Sequence, residues 1–365
     1  MSDTNKISTA DALRMPAEWE PHKAVWLAWP YNRDDWPDRF GPIPWVYVEF
    51  IRVLARRTPV RVLVQNEKQH KQAEKYLERA HVDGHKITFL PVPTDRVWTR
   101  DSGPTFVYRG NERVLLDWHF NAWAKYDNWH RDNKIPRRLA QHLDLERLKP
   151  THKVQGDKRH VVVEGGAVDV NGRGTLLTTE ECLLSDVQCR NPGFTRKDYE
   201  TVFRKFLGVR HVVWLENGIA GDDTHGHVDD LARFVGPSTI VLAAEVDPND
   251  ANYAPLRENR KRLEAARDQD GNPFTVVDLP LPRPIHFEGQ RLPASYANFL
   301  ISNGQVLVPT FNDPNDRVAL STLAEILPQH EITPVYCGDL VWGLGTLHCA
   351  SQQEIAIQSL AQENP

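Results

Sequence analysis

The fold of this chain is indicated best by one stretch of its sequence, Asn298-Phe299-Leu300-Ile301-Ser302-Asn303-Gly304-Gln305-Val306-Leu307-Val308-Pro309. Two apolar runs flank an Asn-Gly pair in this stretch. Asn-Gly is a strong short-range signal for a β-hairpin, because a type I′ turn needs positive φ at both of its central residues. The stretch therefore predicts two antiparallel strands joined by a tight turn.

The same arrangement is predicted at three earlier places in the chain. The paired runs are Thr105–Tyr108 with Arg113–Leu116, Gly166–Val170 with Thr175–Thr178 around Asn171-Gly172, and Leu231–Val235 with Ile240–Ala243. The turns lie roughly 60–66 residues apart, which is a longer period than that of the common solenoid repeats. The sequence therefore predicts an internal repeat.

Most of the hairpins are followed by a predicted helix and a further strand. The helices are predicted at Tyr47–Arg57, Thr195–Leu207, Asn252–Ala266 and Arg317–Leu327, and the strands after them at Val60–Val64, His211–Leu215, Phe274–Val277 and Glu331–Val335. One small unit cannot bury its own apolar face, so about five such units would pack around a common centre. We expect an α/β fold, a single domain over residues 1–365, with one site at the centre of a cyclic array.

Composition limits the classes of function. The chain has 365 residues, of which 40% are hydrophobic and 25% are charged, with a formal net charge of −5. This composition is ordinary for a globular protein. There is no basic block, so we expect no nucleic-acid partner, and small cations are possible ligands.

The sequence also indicates where the protein resides. No apolar run is long enough to span a bilayer, and no apolar secretory signal follows Met1, so we expect no membrane association. The four cysteines form no Cys-x-x-Cys pair. A disulfide framework is therefore not expected, and a reducing cytoplasm is the predicted location.

Cys349 lies in a glycine-rich and polar stretch, Gly343-Leu344-Gly345-Thr346-Leu347-His348-Cys349-Ala350-Ser351-Gln352-Gln353. Most free cysteines are small buried core residues. Glycine and polar neighbours favour instead a reactive thiol, particularly where nearby cations lower its pKa. The other three cysteines lack such neighbours and are interpreted as structural.

A dense run of acids and histidines lies in mid-chain, Gly221-Asp222-Asp223-Thr224-His225-Gly226-His227-Val228-Asp229-Asp230. It has three interpretations: a solvated loop, a metal site built on His225 and His227, or a substrate-binding rim with a catalytic His227. In extended chain, His227 and Asp229 point to the same face. A polyamine-binding protein without catalysis is a further alternative.

Two other clusters carry isolated carboxylates. Trp98 and Asp101 stand close together before Gly103-Pro104, where Asp101 is either a turn residue or, with Trp98 as an apolar wall, a binding group for a planar cation. Glu164 follows the apolar run Val161–Val163, which predicts a carboxylate at the end of a buried strand. A buried carboxylate needs a partner, either a lysine or His227.

Together these residues resemble the agmatine deiminases, a family of the guanidine-modifying superfamily. The matching motifs are Met15–His22, Trp98–Pro104, Phe120–Trp123, Glu164–Gly166, Thr178–Leu184, Asp223–Asp229, Ala294–Phe299, His348-Cys349 and Gln352-Gln353. They extend over nearly the whole chain. The resemblance implies a five-bladed α/β propeller with pseudo-fivefold symmetry. It also implies hydrolysis of agmatine to N-carbamoylputrescine and ammonia in polyamine metabolism, without a cofactor or a metal, by a homodimer.

The resemblance also implies the roles of individual residues. Cys349 would attack the guanidinium carbon and form a covalent amidino intermediate. His227 would transfer protons, and Glu164 would orient His227. Asp101 and Asp229 would each accept paired N–H bonds from the guanidinium and hold its carbon in front of the thiol.

The remaining implied contacts concern the rest of the substrate. Asp223 is a candidate for a further contact with agmatine, and Trp98 would line the slot as an apolar wall. The chain departs from the family pattern at Leu344, where a third glycine is usual, and at Thr346, where Asn is frequent. Both positions flank the nucleophile. Peptidyl-arginine is the nearest alternative substrate within this resemblance.

Overall fold

The computed structural model of the chain describes residues 12–357. The Asn303-Gly304 turn joins two antiparallel strands, Leu300–Ser302 and Gln305–Thr310. Both turn residues have positive φ, 45° for Asn303 and 78° for Gly304, as a type I′ turn requires. The predicted hairpin is therefore confirmed.

This hairpin begins a larger unit. The helix Pro314–Ile326 follows it, and the strand Glu331–Tyr336 then returns to pair in parallel with Gln305–Thr310. The helix begins where Asp313 accepts a hydrogen bond from the backbone N–H of Asn315. Pro314 is tolerated in the first turn because the backbone N–H that it lacks would have no partner there.

Three further sheets repeat this order of antiparallel hairpin, helix and parallel strand. Their strands and helices are Thr105–Arg109, Glu112–Leu116, Ile135–Leu143 and Arg147–Leu148, with Leu13–Arg14 on the edge; Asp169–Val170, Thr175–Thr179, Arg196–Leu207 and His211–Leu215; and Ala232–Phe234, Thr239–Ala244, Tyr253–Ala265 and Thr275–Pro280. The predicted repeat is present in the described residues.

A fifth sheet joins the two ends of the described chain. The C-terminal strand Gln352–Ile355 pairs antiparallel with His22–Ala28, which pairs in parallel with Val60–Val64. The helix Ile43–Leu54 connects these two parallel strands, and Ile87–Pro91 completes the sheet. The strand Gln352–Ile355, the last one in residues 12–357, therefore takes the place of the first hairpin strand in this unit.

Several sequence-based predictions are wrong in detail. The helix predicted at Arg317–Leu327 is Pro314–Ile326, with Pro314 in its first turn. The helix predicted from Tyr47 begins earlier, at Ile43, because Pro44 lies in its first turn, where proline is favourable. Val161–Val163 is buried but does not form a strand. In the run predicted as the strand Gly166–Val170, only the last two residues, Asp169 and Val170, form one. The backbone turns at Gly165, where a Cβ atom would lie 2.2 Å from the carbonyl oxygen of Arg100.

The remaining helices, turns and strands complete the description. They are the helices Glu67–Arg79, Thr99–Ser102 and Glu180–Leu184; the 3-10 turns Arg33–Asp35, Gly84–Lys86, Ala122–Ala124, Asp132–Lys134, Gly165–Ala167, Val228–Asp230 and Leu340–Gly343; and the strand pairs Thr151–Val154 with Asp157–His160 and His286–Phe287 with Gln290–Arg291. Within residues 12–357, no helix has the length and apolar character needed to cross a membrane.

Candidate active site

A buried side chain with a polar atom or a thiol lies within five residues before the first antiparallel strand of each of the five sheets. These side chains are Asp101, Glu164, Asp229, Asn298 and Cys349. The repeat therefore supplies one buried functional group from each unit to the same region of the molecule. His227, two residues before Asp229, lies among them.

Cys349 is held at the closed end of a narrow cavity. Its chain segment passes directly under Trp98, because Gly345 has no side chain: a Cβ atom there would lie 2.8 Å from the indole ring and 3.1 Å from Cys349 Cβ. The thiol is only 6% exposed. Burial and the carboxylates of Asp229, Asp230 and Asp101 raise the pKa of Cys349 well above its usual value. From the sequence we expected nearby cations that lower the pKa of this thiol; in the structure the neighbouring charges that affect it are carboxylates, which raise it.

Asn298 fixes the position of the thiol. Its side-chain Nδ2 lies 2.9 Å from Cys349 Sγ and 2.9 Å from a carboxylate oxygen of Asp230. Its Oδ1 accepts hydrogen bonds from the Thr346 hydroxyl at 2.7 Å and from the backbone N–H of His348 at 3.0 Å. One amide therefore ties the nucleophile loop to the acidic turn Val228–Asp230.

His227 is presented by a loop that Asp222 organises, since one oxygen of Asp222 accepts from the backbone N–H groups of Gly226 and His227, both at 2.8 Å. Neither ring nitrogen of His227 has a hydrogen-bond partner in the described part of the protein. The nearest carboxylate oxygens are those of Asp101, at 3.8 Å from Nδ1, and Glu164, at 3.9 Å from Nε2.

The charge state of His227 is set by its surroundings. Burial alone would lower the pKa of His227, but Asp101, Cys182 and Glu164 raise it well above its usual value. The imidazole is therefore a cation at neutral pH and can donate a proton. His227 Nδ1 also lies 3.9 Å from Asp229 Oδ1, so these two side chains do face each other as predicted, although a 3-10 turn rather than an extended strand brings them together.

From the sequence, a lysine or His227 was the expected partner of Glu164. In the structure it has two partners, His227 and a basic residue that is Arg190 instead of a lysine. Its Oε1 accepts from Arg190 Nε at 3.1 Å, while its Oε2 faces His227. Burial alone would raise the pKa of Glu164, but Arg190 and His227 lower it to about 2. Glu164 is therefore an anion that stabilises the charged form of His227.

Asp101 is oriented by two donors. Trp123 Nε1 donates to one carboxylate oxygen and the backbone N–H of Gly166 to the other, each at 3.0 Å. Burial raises the pKa of Asp101 to about 6, with His227 opposing and Asp229 and Glu164 contributing. Its carboxylate is thus ionised at neutral pH but protonated in mild acid.

Trp123 reaches Asp101 through an unusual stretch of backbone. Ala122, Trp123 and Ala124 all have positive φ, between 49° and 58°. Three consecutive residues without glycine rarely adopt this left-handed conformation, and such strain is concentrated at functional sites. Asn121 stabilises the stretch, because its side chain accepts a hydrogen bond from the backbone N–H of Ala124.

Asp229 is held by a chain of buried charges. Its Oδ2 accepts from His348 Nδ1 at 2.7 Å, and His348 Nε2 lies 2.6 Å from Glu18. Glu18 in turn pairs with Arg233 at 2.9 Å and Arg100 at 3.5 Å. Burial alone would raise the pKa of Asp229, but the hydrogen bond from His348 and nearby cations lower it. Its other oxygen, Oδ1, has no partner among the described residues.

The cavity in front of Cys349 has a volume of about 110 Å³. Trp98, Trp123, Tyr126 and Leu344 line it with apolar surface. Leu344 has a φ of 67°, which is uncommon for a branched side chain and indicates a constrained position. The cavity is therefore a slot with aromatic and aliphatic walls that also contains the Asp101 carboxylate and the Cys349 thiol. The ring of His227 is buried and lies 3.8 Å from Asp101.

Comparisons with known proteins show the family of this chain. The model of the Porphyromonas-type peptidyl-arginine deiminase family matches residues 14–354. The chain belongs to this family. It is 37% identical to the agmatine deiminase of Ectopseudomonas mendocina over 98% of this chain and 100% of that protein, and 35% identical to that of Pseudomonas aeruginosa, strain LESB58, over 98% and 99%.

Solved structures show the same likeness. The agmatine deiminase of Enterococcus faecalis superimposes with a TM-score of 0.85 at 31% identity, covering 95% of this chain and 96% of that one. A cysteine-to-serine variant of the C. jejuni agmatine deiminase, with substrate bound, gives a TM-score of 0.83 at 28% identity and covers 95% and 97%. The mixed α/β fold of this deiminase family member is thus that of solved agmatine deiminases.

One interpretation of the acidic run was a metal site built on His225 and His227, and the positions of these two side chains do not support it. His225 Nε2 lies 3.1 Å from the Ser185 hydroxyl, whereas the ring nitrogens of His227 face Asp101 and Glu164. Two groups of possible ligands occur in the described part, Glu164 with Cys182 and His227, and Asp229 with Asp230 and Cys349. His225 is in neither, so the two histidines that were one alternative for a metal site do not belong to one group of ligands.

Four residues of the deiminase site are absent from the sequence-based prediction. They are Glu18, Trp123, Asn298 and His348, although each lies in a motif that carried the resemblance. For Asn298 a signal was available, since it occupies the same place before its hairpin as Asp101 and Cys349 do. No comparable signal exists for Glu18, which reaches His348 only through the closure of the fifth sheet.

Proposed function

We propose that this protein hydrolyses agmatine to N-carbamoylputrescine and ammonia through a covalent amidino–cysteine intermediate. One observation carries the proposal: among the described residues, Asp229 Oδ1, Glu164 Oε2 and both ring nitrogens of His227 are buried without hydrogen-bond partners, and the other oxygen of Asp229 lies 3.7 Å from Cys349 Sγ. A planar guanidinium has several N–H donors and a positive charge, which match free carboxylate oxygens at the closed end of the slot. The relatives described above are agmatine deiminases.

Binding of the guanidinium also activates the nucleophile. The carboxylates of Asp101 and Asp229 hold the flat cation in front of Cys349. The same carboxylates raise the pKa of Cys349 in the free site, and the bound cation offsets their field. The thiol then releases its proton to solvent water and becomes a thiolate, which is the reactive form.

The chemistry takes two steps. In the first, the thiolate forms a bond to the guanidinium carbon, His227 gives its proton to one nitrogen, and ammonia leaves as the C–N bond breaks. In the second, neutral His227 takes a proton from water, which adds to the carbon. The C–S bond then breaks and returns the thiolate, and the ureido product leaves. Glu164 stabilises the cationic form of His227 throughout.

The arrangement of the five sheets supports a finer proposal about the fold. Each sheet contributes one of the five buried side chains of the site, of which Asp101 and Cys349 line the cavity. We infer a five-bladed α/β propeller with pseudo-fivefold symmetry in a single domain over residues 1–365. A homodimer of the 41.8 kDa chain stays a prediction from the resemblance, to be tested by light scattering. A role in polyamine metabolism and a cytoplasmic location likewise stay predictions.

The experiment that tests the function is turnover of agmatine, followed by ureido-group colour and by ammonia release. L-arginine and a blocked arginine peptide serve as competing substrates. Cys349→Ala should lose about 10⁴-fold or more in kcat, as expected when a covalent catalyst is removed. No product from agmatine, or near-normal turnover by Cys349→Ala, would refute the proposal.

A further inference from the structure

The cavity that contains Cys349 is also lined by charged side chains other than those around the thiol. They are Asp34, Asp35, Arg96 and Asp223, of which Asp34 is exposed to solvent. A substrate whose guanidinium lies at Cys349 and whose chain follows the slot would place its far end among these groups. They therefore determine which distal groups the site accepts.

Asp223, the candidate named from the sequence, is already engaged. One of its carboxylate oxygens contacts the Lys125 ammonium, and the other accepts a hydrogen bond from the Tyr126 hydroxyl at 2.7 Å. Its charge is neutralised within the protein. Asp223 therefore shapes this end of the cavity and is a weaker candidate for a cation of the substrate.

Asp35 is different, because one of its oxygens is free. Oδ1 accepts from Arg96 Nη1 at 2.6 Å and from Asn32 Nδ2 at 3.3 Å. Oδ2 is buried and has no partner among the described residues, and the side chain is 1% exposed. Burial raises the pKa of Asp35 to about 7, although Arg96 opposes the shift. A buried carboxylate with an unused oxygen is costly unless a donor approaches it.

Arg96 is the competing recognition group, and its terminal nitrogens are both occupied. Nη1 donates to Asp35, and Nη2 donates to Asn128 Oδ1 at 3.0 Å. The guanidinium also lies 4.3 Å from the Tyr126 ring centre, which covers one of its faces. Nε is buried without a partner among the described residues, and each terminal nitrogen keeps a second N–H. Because the positive charge of Arg96 is already paired with Asp35, Arg96 is a weaker candidate than Asp35 Oδ2 for recognising the distal group of the substrate.

We infer that Oδ2 of Asp35 binds the distal ammonium group of the substrate and makes the site selective for guanidines with a cationic tail. The inference rests on the deiminase function proposed above and adds the residue that recognises the other end of the substrate. Arg96 is a positioning residue in this arrangement, since it holds Asp35 through Oδ1 and leaves Oδ2 to the ligand.

The expected selectivity follows from the contact. A hydrogen bond to a charged, buried group contributes enough to change relative rates by about 10- to 100-fold. Pentylguanidine has the same chain length as agmatine with a methyl group in place of the ammonium. We therefore expect the wild-type protein to prefer agmatine to pentylguanidine by this factor in kcat/KM.

The test compares three guanidines of matched length: agmatine, pentylguanidine and 5-guanidinopentanoate, which carries a carboxylate tail. Asp35→Asn should reduce the ratio of kcat/KM for agmatine over pentylguanidine to within about threefold of unity. Asp38→Asn removes the same charge from an exposed position in the same loop and should keep the wild-type ratio. The wild-type ratio itself needs no variant, so the test stands if Asp35→Asn does not fold.

Three results would overturn the inference. Equal kcat/KM of the wild-type protein for agmatine and pentylguanidine would show that no contact with the ammonium group contributes to selectivity. The proposed deiminase function would still stand. An unchanged ratio in folded Asp35→Asn would assign the contact to another residue. A preference for 5-guanidinopentanoate that Arg96→Gln abolishes would show that Arg96 recognises a carboxylate instead. No ureido product from any of the three would overturn both proposals.

Discussion

At the residue scale, the absence of one methyl group at Gly166 keeps two site residues in place. A Cβ atom on Gly166 would lie 2.5 Å from His227 Nδ1 and 2.9 Å from Asp101 Oδ1. Such contacts are far inside van der Waals distance, so the imidazole or the carboxylate must move. We predict that Gly166→Ala lowers kcat/KM for agmatine by about 100-fold, since misplacement of about 1 Å costs this much. Steady-state kinetics on the purified variant measures the effect.

Gly41 provides a matched control for this change. A Cβ atom on Gly41 has no neighbour within 4 Å, so Gly41→Ala should keep wild-type kcat/KM within about twofold. Wild-type kinetics in Gly166→Ala would mean that His227 and Asp101 tolerate displacement. Their roles in holding the guanidinium and transferring protons would then be wrong.

The ionisation of Asp101 should also make kcat/KM depend on pH. Its pKa is raised to about 6 by burial, against the opposing effect of His227. Above this pH the carboxylate is ionised and binds the guanidinium; below it the carboxylate is protonated and the contact is lost. We predict that kcat/KM falls as the pH drops through about 6, by up to tenfold per pH unit. Pentylguanidine is the substrate of choice, because its neutral tail excludes the titration of Asp35.

Trp123 provides the control for the pH profile. Its Nε1 donates to Asp101 and favours the ionised carboxylate. Trp123→Phe removes this donor, so the acid limb should move to higher pH. An acid limb that stays at the same pH in Trp123→Phe, or that lies below pH 4.5 in the wild-type protein, would assign the limb to a group other than Asp101.

At the scale of elements, the fifth sheet depends on a buried charge in the last strand. Glu354 has no exposed surface and contacts Arg113 at 2.7 Å, Arg61 at 2.8 Å and the Trp26 indole at 3.2 Å. Removing one partner leaves the other buried charges uncompensated, which costs about 3–5 kcal/mol. We predict that Glu354→Ala lowers the urea midpoint of unfolding by an amount equivalent to about 3 kcal/mol or more.

An exposed pair serves as the comparison. Glu331 contacts Arg57 at 3.0 Å, but both side chains are nearly half exposed. Exposed pairs contribute about 0–1 kcal/mol, so Glu331→Ala should hardly move the midpoint. Equal effects of Glu354→Ala and Glu331→Ala would contradict the view that the C-terminal strand is anchored by buried charge.

The sequence predicts elements well where the determinants are local. The helix from Thr195 is confirmed as Arg196–Leu207 because its signals are adjacent in the chain: Thr195 and Asp198 form a capping box, and Gly208 ends the helix with a φ of 71°. The run Val161–Val163 misleads because apolar composition reports burial, whereas strand formation needs a neighbouring strand that is free to pair.

At the scale of the whole molecule, the repeat makes part of the site predictable and part of it not. In each unit, the residues just before the first strand lie near the common centre. A polar residue or cysteine at this position is therefore a candidate for the site, as Asp101, Asp229 and Cys349 are. The contact between Glu18 and His348 joins residues 330 positions apart in the chain, and that between His348 and Asp229 joins residues 119 positions apart. No local pattern encodes such contacts, and the first of them forms only when Gln352–Ile355 pairs with His22–Ala28.

The site as a whole therefore depends on one bond, formed between Cys349 and the central carbon of the substrate. Wild-type protein mixed with agmatine and quenched in acid during turnover can be digested and analysed by mass spectrometry. We predict an added mass of agmatine minus ammonia on the peptide that contains Cys349, and none in Cys349→Ala. An added mass on another residue, or steady product formation with no adduct on Cys349 when the intermediate accumulates, would contradict covalent catalysis by this cysteine.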